Sequence, residues 1–105
     1  MSVLDENIAK LDGYLARFGD KGILNRIAGE DLAGSGGVFQ TISPVNKSVI
    51  CDVALGAATD IDAAANAAHD AFATWRDMPA SERKKIILRI AEGIEARAEE
   101  IALCE

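Results

Sequence analysis

Cysteine, histidine and positive charge are all in short supply in this 105-residue chain, and each shortage removes a class of chemistry. Cys51 and Cys104 stand far apart, with no further Cys or His at metal-ligand spacing, so a zinc site is excluded. The opening Met1-Ser2-Val3-Leu4-Asp5-Glu6 is acidic where a secretory signal is basic. The expected location is therefore the cytoplasm, where a disulfide is disfavoured and both cysteines should act as small buried hydrophobes. Eleven Lys and Arg against 17 Asp and Glu leave a net charge of −6. The one basic concentration, Arg83-Lys84-Lys85, reads as the solvated face of a helix. Binding a phosphate backbone takes clustered cations, so no nucleic-acid partner is expected. No apolar run approaches the roughly 20 residues that span a bilayer, which argues against a membrane partner. The single His69 has no nucleophile or carboxylate pair placed beside it by sequence, and it reads as a surface or half-buried structural residue.

Hydrophobic residues, by contrast, make up half the chain. A single globular domain of this size buries only about 60–65% of its unfolded surface. Leu4, Ile8, Leu11, Leu15 and Phe18 recur at helical spacing and predict an amphipathic helix from Ser2 to about Phe18, closed by Gly19 to Gly22. From Ile23 to Leu55 the period becomes strand-like. Alternation over Ile23 to Ala28, followed by Gly29-Glu30-Asp31, predicts a first hairpin. Gly34-Ser35-Gly36-Gly37 reads as a flexible loop. It opens onto the strand pattern Val38 to Ile42 rather than a helix, so it lacks the setting of a phosphate-binding loop. Ser43-Pro44-Val45-Asn46 fits a type I turn, and Val49 to Leu55 is apolar enough for a strand buried on both faces.

Two helices should follow. Thr59 is placed to cap the first, with Asp60 and Asp62 in its opening turn and Ile61, Ala64, Ala65, Ala68 and Phe72 as its apolar face. Met78-Pro79-Ala80-Ser81-Glu82 starts the second, whose period continues through Ile86, Ile87, Ile90, Ala91, Ile94, Ala98, Ile101 and Ala102. That helix reaches Glu105 without a glycine cap or a proline stop, a pattern expected of a chain that ends inside an element.

Three stretches in order, Phe39 to Ala54 (FQTISPVNKSVICDVA), Asp60 to Trp75 (DIDAAANAAHDAFATW) and Met78 to Ala102, resemble the amino-terminal part of the NAD(P)-dependent aldehyde dehydrogenase superfamily. The leading helix and Gly22 to Glu30 (GILNRIAGE) look most like the branch that oxidises 5-carboxymethyl-2-hydroxymuconate semialdehyde. Two departures stand out. Ser43 replaces the usual Asn before Pro44, and Lys47 stands where Gly is common, which implies a turn without a left-handed residue.

The resemblance implies an α/β fold: the amino-terminal fragment of an aldehyde dehydrogenase cofactor-binding domain, with an amphipathic helix, β-hairpin strands and two long helices. Residues 1–22 would form the leading helix and linker, and residues 23–105 the start of the dinucleotide-binding domain. It also implies the family's chemistry, in which a cysteine thiolate attacks an aldehyde, hydride passes to NAD or NADP, and glutamate-activated water releases the carboxylic acid. Neither Cys51 nor Cys104 matches the nucleophile's position, and the cofactor-binding segments lie downstream of the matched region. This chain alone is therefore expected to be inactive and to bind no cofactor. One family site is partly present: backbone carbonyls of Thr41 and Ile42 match those holding a structural sodium or potassium ion. The implied partners are the remainder of the enzyme or other subunits, a small-molecule aldehyde from aromatic catabolism, and further copies in a homo-oligomer. A different class of reading, a small stand-alone scaffold or protein-interaction module, explains the apolar stripes and the acidity but not the order of family-like features.

Overall fold

Ser2 and Asp5 begin the first helix by capping each other. The Asp5 amide donates to Ser2 Oγ at 3.2 Å while the Ser2 amide donates to Asp5 Oδ2 at 2.9 Å, which satisfies two otherwise unpaired helix-end donors. The computed structural model describes residues 1–105, and its elements run α1 (Val3–Leu15), a short 3₁₀ turn (Ala16–Phe18), β1 (Asn25–Ile27), β2 (Glu30–Leu32), β3 (Val38–Ile42), β4 (Val49–Ala54), α2 (Ala58–Asp77), α3 (Ala80–Ala96) and α4 (Ala98–Cys104). These are the mixed helices and antiparallel strands that the sequence predicts. The chain divides into two units, one of Met1–Arg17 with Ala73–Glu105 and one of Phe18–Phe72.

In the second unit, β1 and β2 pair antiparallel through a two-residue turn. Ala28 (φ 53°) and Gly29 (φ 82°) are both left-handed there, the geometry whose twist matches the flanking strands. The turn thus lies one residue earlier than Gly29-Glu30-Asp31. A second antiparallel pair, β3 with β4, runs from Val38 opposite Ala54 to Ile42 opposite Val49. Ile23 joins the other side of β4 by a parallel bridge. Its amide donates to the Asp52 carbonyl and its carbonyl accepts from the Ala54 amide, both at 2.8 Å.

The loop between β3 and β4 is closed by the Lys47 amide donating to the Ser43 carbonyl at 2.9 Å and the Ser43 amide donating to the Ser48 carbonyl at 2.8 Å. Pro44 presets the bend as the sequence predicts. Lys47, however, adopts φ 61°, so the left-handed residue that its identity argued against is present. The turn geometry overrides the side chain's preference. Replacing Lys47 with Gly is accordingly expected to raise stability by up to about 1 kcal/mol in urea denaturation, because a side chain in this region costs about 1–2 kcal/mol while glycine's extra unfolded-state freedom offsets part of that gain.

The expectation that β4 is buried on both faces fails. Only Cys51 (7% exposed) and Ala54 (8%) are buried in the whole chain, while Val49, Ile50 and Leu55 remain substantially exposed. A two-stranded ribbon extended only by the single Ile23 bridge has no second layer to cover its faces. Cys51 behaves as the expected buried hydrophobe, whereas Cys104, on α4, is exposed, and both are free thiols. His69 is exposed on α2.

The apolar face assigned to α2 is only partly used. Ala64 is half-buried, whereas Ile61 and Phe72 stay exposed. The longer helical period also breaks, because Arg97 (φ −116°, ψ 21°) separates α3 from α4. Its amide turns to the Ile94 carbonyl at 3.1 Å, three residues back, and its own carbonyl then accepts from Ile101 at 3.0 Å to start a new helix.

Within the first unit, α1 packs against α4. Exposed apolar side chains are numerous in both units, among them Val38, Phe39 and Ile42 on β3 and Ile87, Ile90 and Ile94 on α3.

Candidate functional site

Chemistry-bearing groups converge where the glycine loop meets the start of α2. Ala57 is the residue whose carbonyl accepts the first helical bonds, from the amides of Asp60 (3.0 Å) and Ile61 (3.1 Å). Asp60, three positions on, turns its carboxylate back to that end of the helix. Asp60 Oδ2 accepts from the Ala57 amide at 2.8 Å, the Ser35 amide at 2.9 Å and the Ser35 hydroxyl at 2.6 Å. The Ser35 and Thr59 hydroxyls share a further bond at 2.9 Å. Asp60 thus lies in the opening turn as expected and also does the capping expected of Thr59, whose hydroxyl instead ties the loop.

The Ser35 hydroxyl, followed by the Ala57 and Ser35 amides, holds the Asp60 carboxyl below the ordinary aspartate value. A carboxyl depressed in the folded state contributes stability that is fully present above its unfolded value, about 3.9, and that disappears as pH falls through the lower folded value. The loop should stay pinned throughout the neutral range and loosen only in acid below that point. Asp60→Ala is expected to speed exchange of the Ser35 and Ala57 amides roughly tenfold at pH 7, as measured by hydrogen exchange, while β3 and β4 keep their protection.

The glycine loop is consequently not the flexible segment that its composition predicts. Gly36 donates to the Leu55 carbonyl at 3.0 Å, Gly37 to Gly34 at 3.4 Å, and Leu55 back to the Gly37 carbonyl at 2.9 Å. Gly34 lies so close to Leu55 that an added Cβ would sit 2.1 Å from its carbonyl oxygen. The residues present do not fit a dinucleotide pyrophosphate. The amides of Ser35, Gly36 and Gly37 all have partners within the chain, and the helix end beside them already carries the Asp60 carboxylate, which repels an anion.

The Thr41 and Ile42 backbone, expected to contribute to a cation site, lies at a register shift. Thr41 faces Cys51 and Ile42 faces Val49, leaving Ile50 as the extra residue on β4. Such a bulge interrupts the ladder at that step. No group of three or more His, Cys, Asp or Glu side chains is placed to hold a metal ion. A shallow groove of about 290 Å³ lies between Arg26, Ile27 and Ala28 and the alanines Ala64, Ala67, Ala68 and Ala71 of α2, whose helical spacing keeps one small-residue face toward the first hairpin.

Sequence reasoning missed the Ser35–Asp60 tie, although Ala57-Ala58-Thr59-Asp60 carries half of a capping box. No helix is long and apolar enough to cross a membrane.

The fold is similar to a solved structure, and the sequence to curated proteins. The chain is 36% identical to a solved structure of HpcC from Thermus thermophilus, with a TM-score of 0.85 over 91% of this chain and 19% of that one. It is 44% identical over 71 residues to an aldehyde dehydrogenase of Vibrio cholerae, covering 68% of this chain and 14% of the relative. It is also 45% identical over 75 residues to a mitochondrial benzaldehyde dehydrogenase of Antirrhinum majus, covering 70% and 14%. The chain thus spans about one seventh of the length of these two curated relatives. The model of the aldehyde dehydrogenase family matches residues 32–105, from the end of β2 through α4, and on that match the chain belongs to the aldehyde dehydrogenase family.

Proposed function

We propose that these residues form the outer framework of an enzyme that oxidises an aldehyde to a carboxylic acid, with NAD or NADP as hydride acceptor. The observation that carries the reading is the family match over residues 32–105, joined to a fold shared with HpcC at a TM-score of 0.85. In this reading the chain supplies positioning rather than chemistry. Cys51 is buried in β4 and Cys104 is exposed on α4, and the nucleophile, the base and the dinucleotide site come from other parts of the polypeptide.

The proposal extends to the substrate, a semialdehyde from aromatic catabolism. Gly22 to Glu30 supports it by resembling the branch that handles 5-carboxymethyl-2-hydroxymuconate semialdehyde, and one relative is named for an aromatic aldehyde. The Thr41 and Ile42 carbonyls would supply two oxygens to a sodium or potassium ion, which would rigidify the bulged end of the β3–β4 ribbon. A cytoplasmic location belongs to the same proposal and is supported by two unpaired cysteines, which suit a reducing compartment. So does assembly into homo-oligomers, for which the exposed apolar faces leave ample surface.

The test is aldehyde-dependent production of reduced nicotinamide by the polypeptide that carries these residues together with the family's remaining length. Turnover of 5-carboxymethyl-2-hydroxymuconate semialdehyde in preference to benzaldehyde is expected. No turnover across a panel of semialdehydes and aromatic aldehydes would overturn the reading and favour a stand-alone scaffold.

A further inference from the structure

Residues 1–31 lie outside the family match, and within the first unit α1 is held by its packing against α4. Those contacts are unusual in kind. The apolar stripe of α1 is poorly covered: Leu4 is 67% exposed and Ile8 48%, with Leu11 and Leu15 only half-buried. The specific bonds come from the flank of the helix, where Lys10, Tyr14 and Arg17 recur at spacings of four and three. All three meet consecutive carboxylates of α4. Lys10 Nζ and the Tyr14 hydroxyl each donate to Glu99 at 2.7 Å, one to each oxygen, and Arg17 pairs with Glu100. Glu100, whose side chain is only 13% exposed, is further gripped by the Arg97 fork at 2.9 and 3.1 Å.

We propose that α1 is a releasable strap, latched to α4 by the Lys10–Tyr14–Arg17 edge closing on Glu99 and Glu100, and that it detaches without unfolding of the sheet unit when those carboxylates are neutralised or screened. The physical basis is the balance of terms. Exposed ion pairs are individually weak and fall with ionic strength, whereas a well-buried apolar face holds regardless of salt. Here the apolar face is half-open, so the latch carries a disproportionate share. The break at Arg97 has a role in this arrangement. It makes α4 a separate short helix, and it places the Arg97 guanidinium beside Glu100 so that the innermost carboxylate keeps a cation when α1 leaves.

The charged and titratable groups on the latch are Glu6, Lys10 and Tyr14 from α1, Arg17 from the turn that follows it, and Arg97, Glu99 and Glu100 from the α4 side. The Lys10 and Tyr14 bonds hold Glu99 below the ordinary glutamate value, and Arg97 does the same for Glu100. The carboxylate contribution is therefore present above that ordinary value and is lost only in acid. At neutral pH the operative triggers are salt and competing cations.

Hydrogen exchange on the 105-residue chain reads the strap directly, with the β3 and β4 amides as internal control. Raising NaCl from roughly 0.05 to about 1 M, which shortens the screening length to about 3 Å, is expected to speed exchange over residues 6–18 by roughly three- to tenfold and to leave the β3 and β4 rates unchanged. Glu99→Gln with Glu100→Gln should give the same acceleration at low salt and remove the salt response. Should the double variant lose β3 and β4 protection as well, the wild-type salt series decides. An α1 exchange rate that is insensitive to salt, or one that changes only in step with β3 and β4, would overturn the proposal.

Discussion

Gly22→Ala is expected to cost about 2–4 kcal/mol and to lower the melting temperature of the chain by about 10–25 °C, read by circular dichroism. Two effects add at this position. Gly22 sits at φ 65°, where an L side chain costs about 1–2 kcal/mol. An added Cβ would also stand 2.1 Å from the Asp52 carbonyl oxygen, the acceptor of the Ile23 amide. Backbone would have to move, and with it the bridge that gives β4 its second neighbour. Gly34→Ala tests the steric effect alone, since its Cβ meets the Leu55 carbonyl at the same 2.1 Å. Gly13→Ala is the control. Nothing lies within 4 Å of its Cβ in the last turn of α1, and alanine's better helix propensity should stabilise by up to about 0.5–1 kcal/mol.

The second large effect concerns α3. Ile87 and Ile94 are one heptad apart on a single face and are 54% and 56% exposed. Changing both to Asp should alter the stability of the 105-residue chain by less than about 0.5 kcal/mol, as is usual for exposed positions. In the intact enzyme proposed above, the same pair should reduce soluble aldehyde oxidation by at least about tenfold, because an unpaired carboxylate placed in an apolar interface costs several kcal/mol. Equal tolerance in both settings would show that the α3 face is ordinary surface.

These results depend on features legible in the sequence to different degrees. Hydrophobic alternation and Ser43-Pro44 marked the β3–β4 hairpin, and helical spacing marked all three long helices, because those signals are local. Lys47 misled for the opposite reason. The left-handed residue is demanded by closure of the Ser43–Ser48 loop, and side-chain identity is a weak guide when closure fixes the backbone. Ser35 with Asp60, and Tyr14 with Glu99, are 25 and 85 residues apart, so their meeting is a product of the fold. The Arg97 break carried no glycine or proline to announce it. The face of β4 expected to be buried is a separate case. Val49 to Leu55 has the composition of a strand covered on both sides, and composition of that kind records the surface a strand is built to meet.

Hydrogen exchange of the α3 amides, Ala80–Ala96, compared between the 105-residue chain and the full-length enzyme proposed above, tests the central claim most directly. Burial of the exposed isoleucine face under the rest of the enzyme predicts exchange slowed by roughly a hundredfold or more in the intact protein. Equal α3 exchange rates in the two would contradict the account.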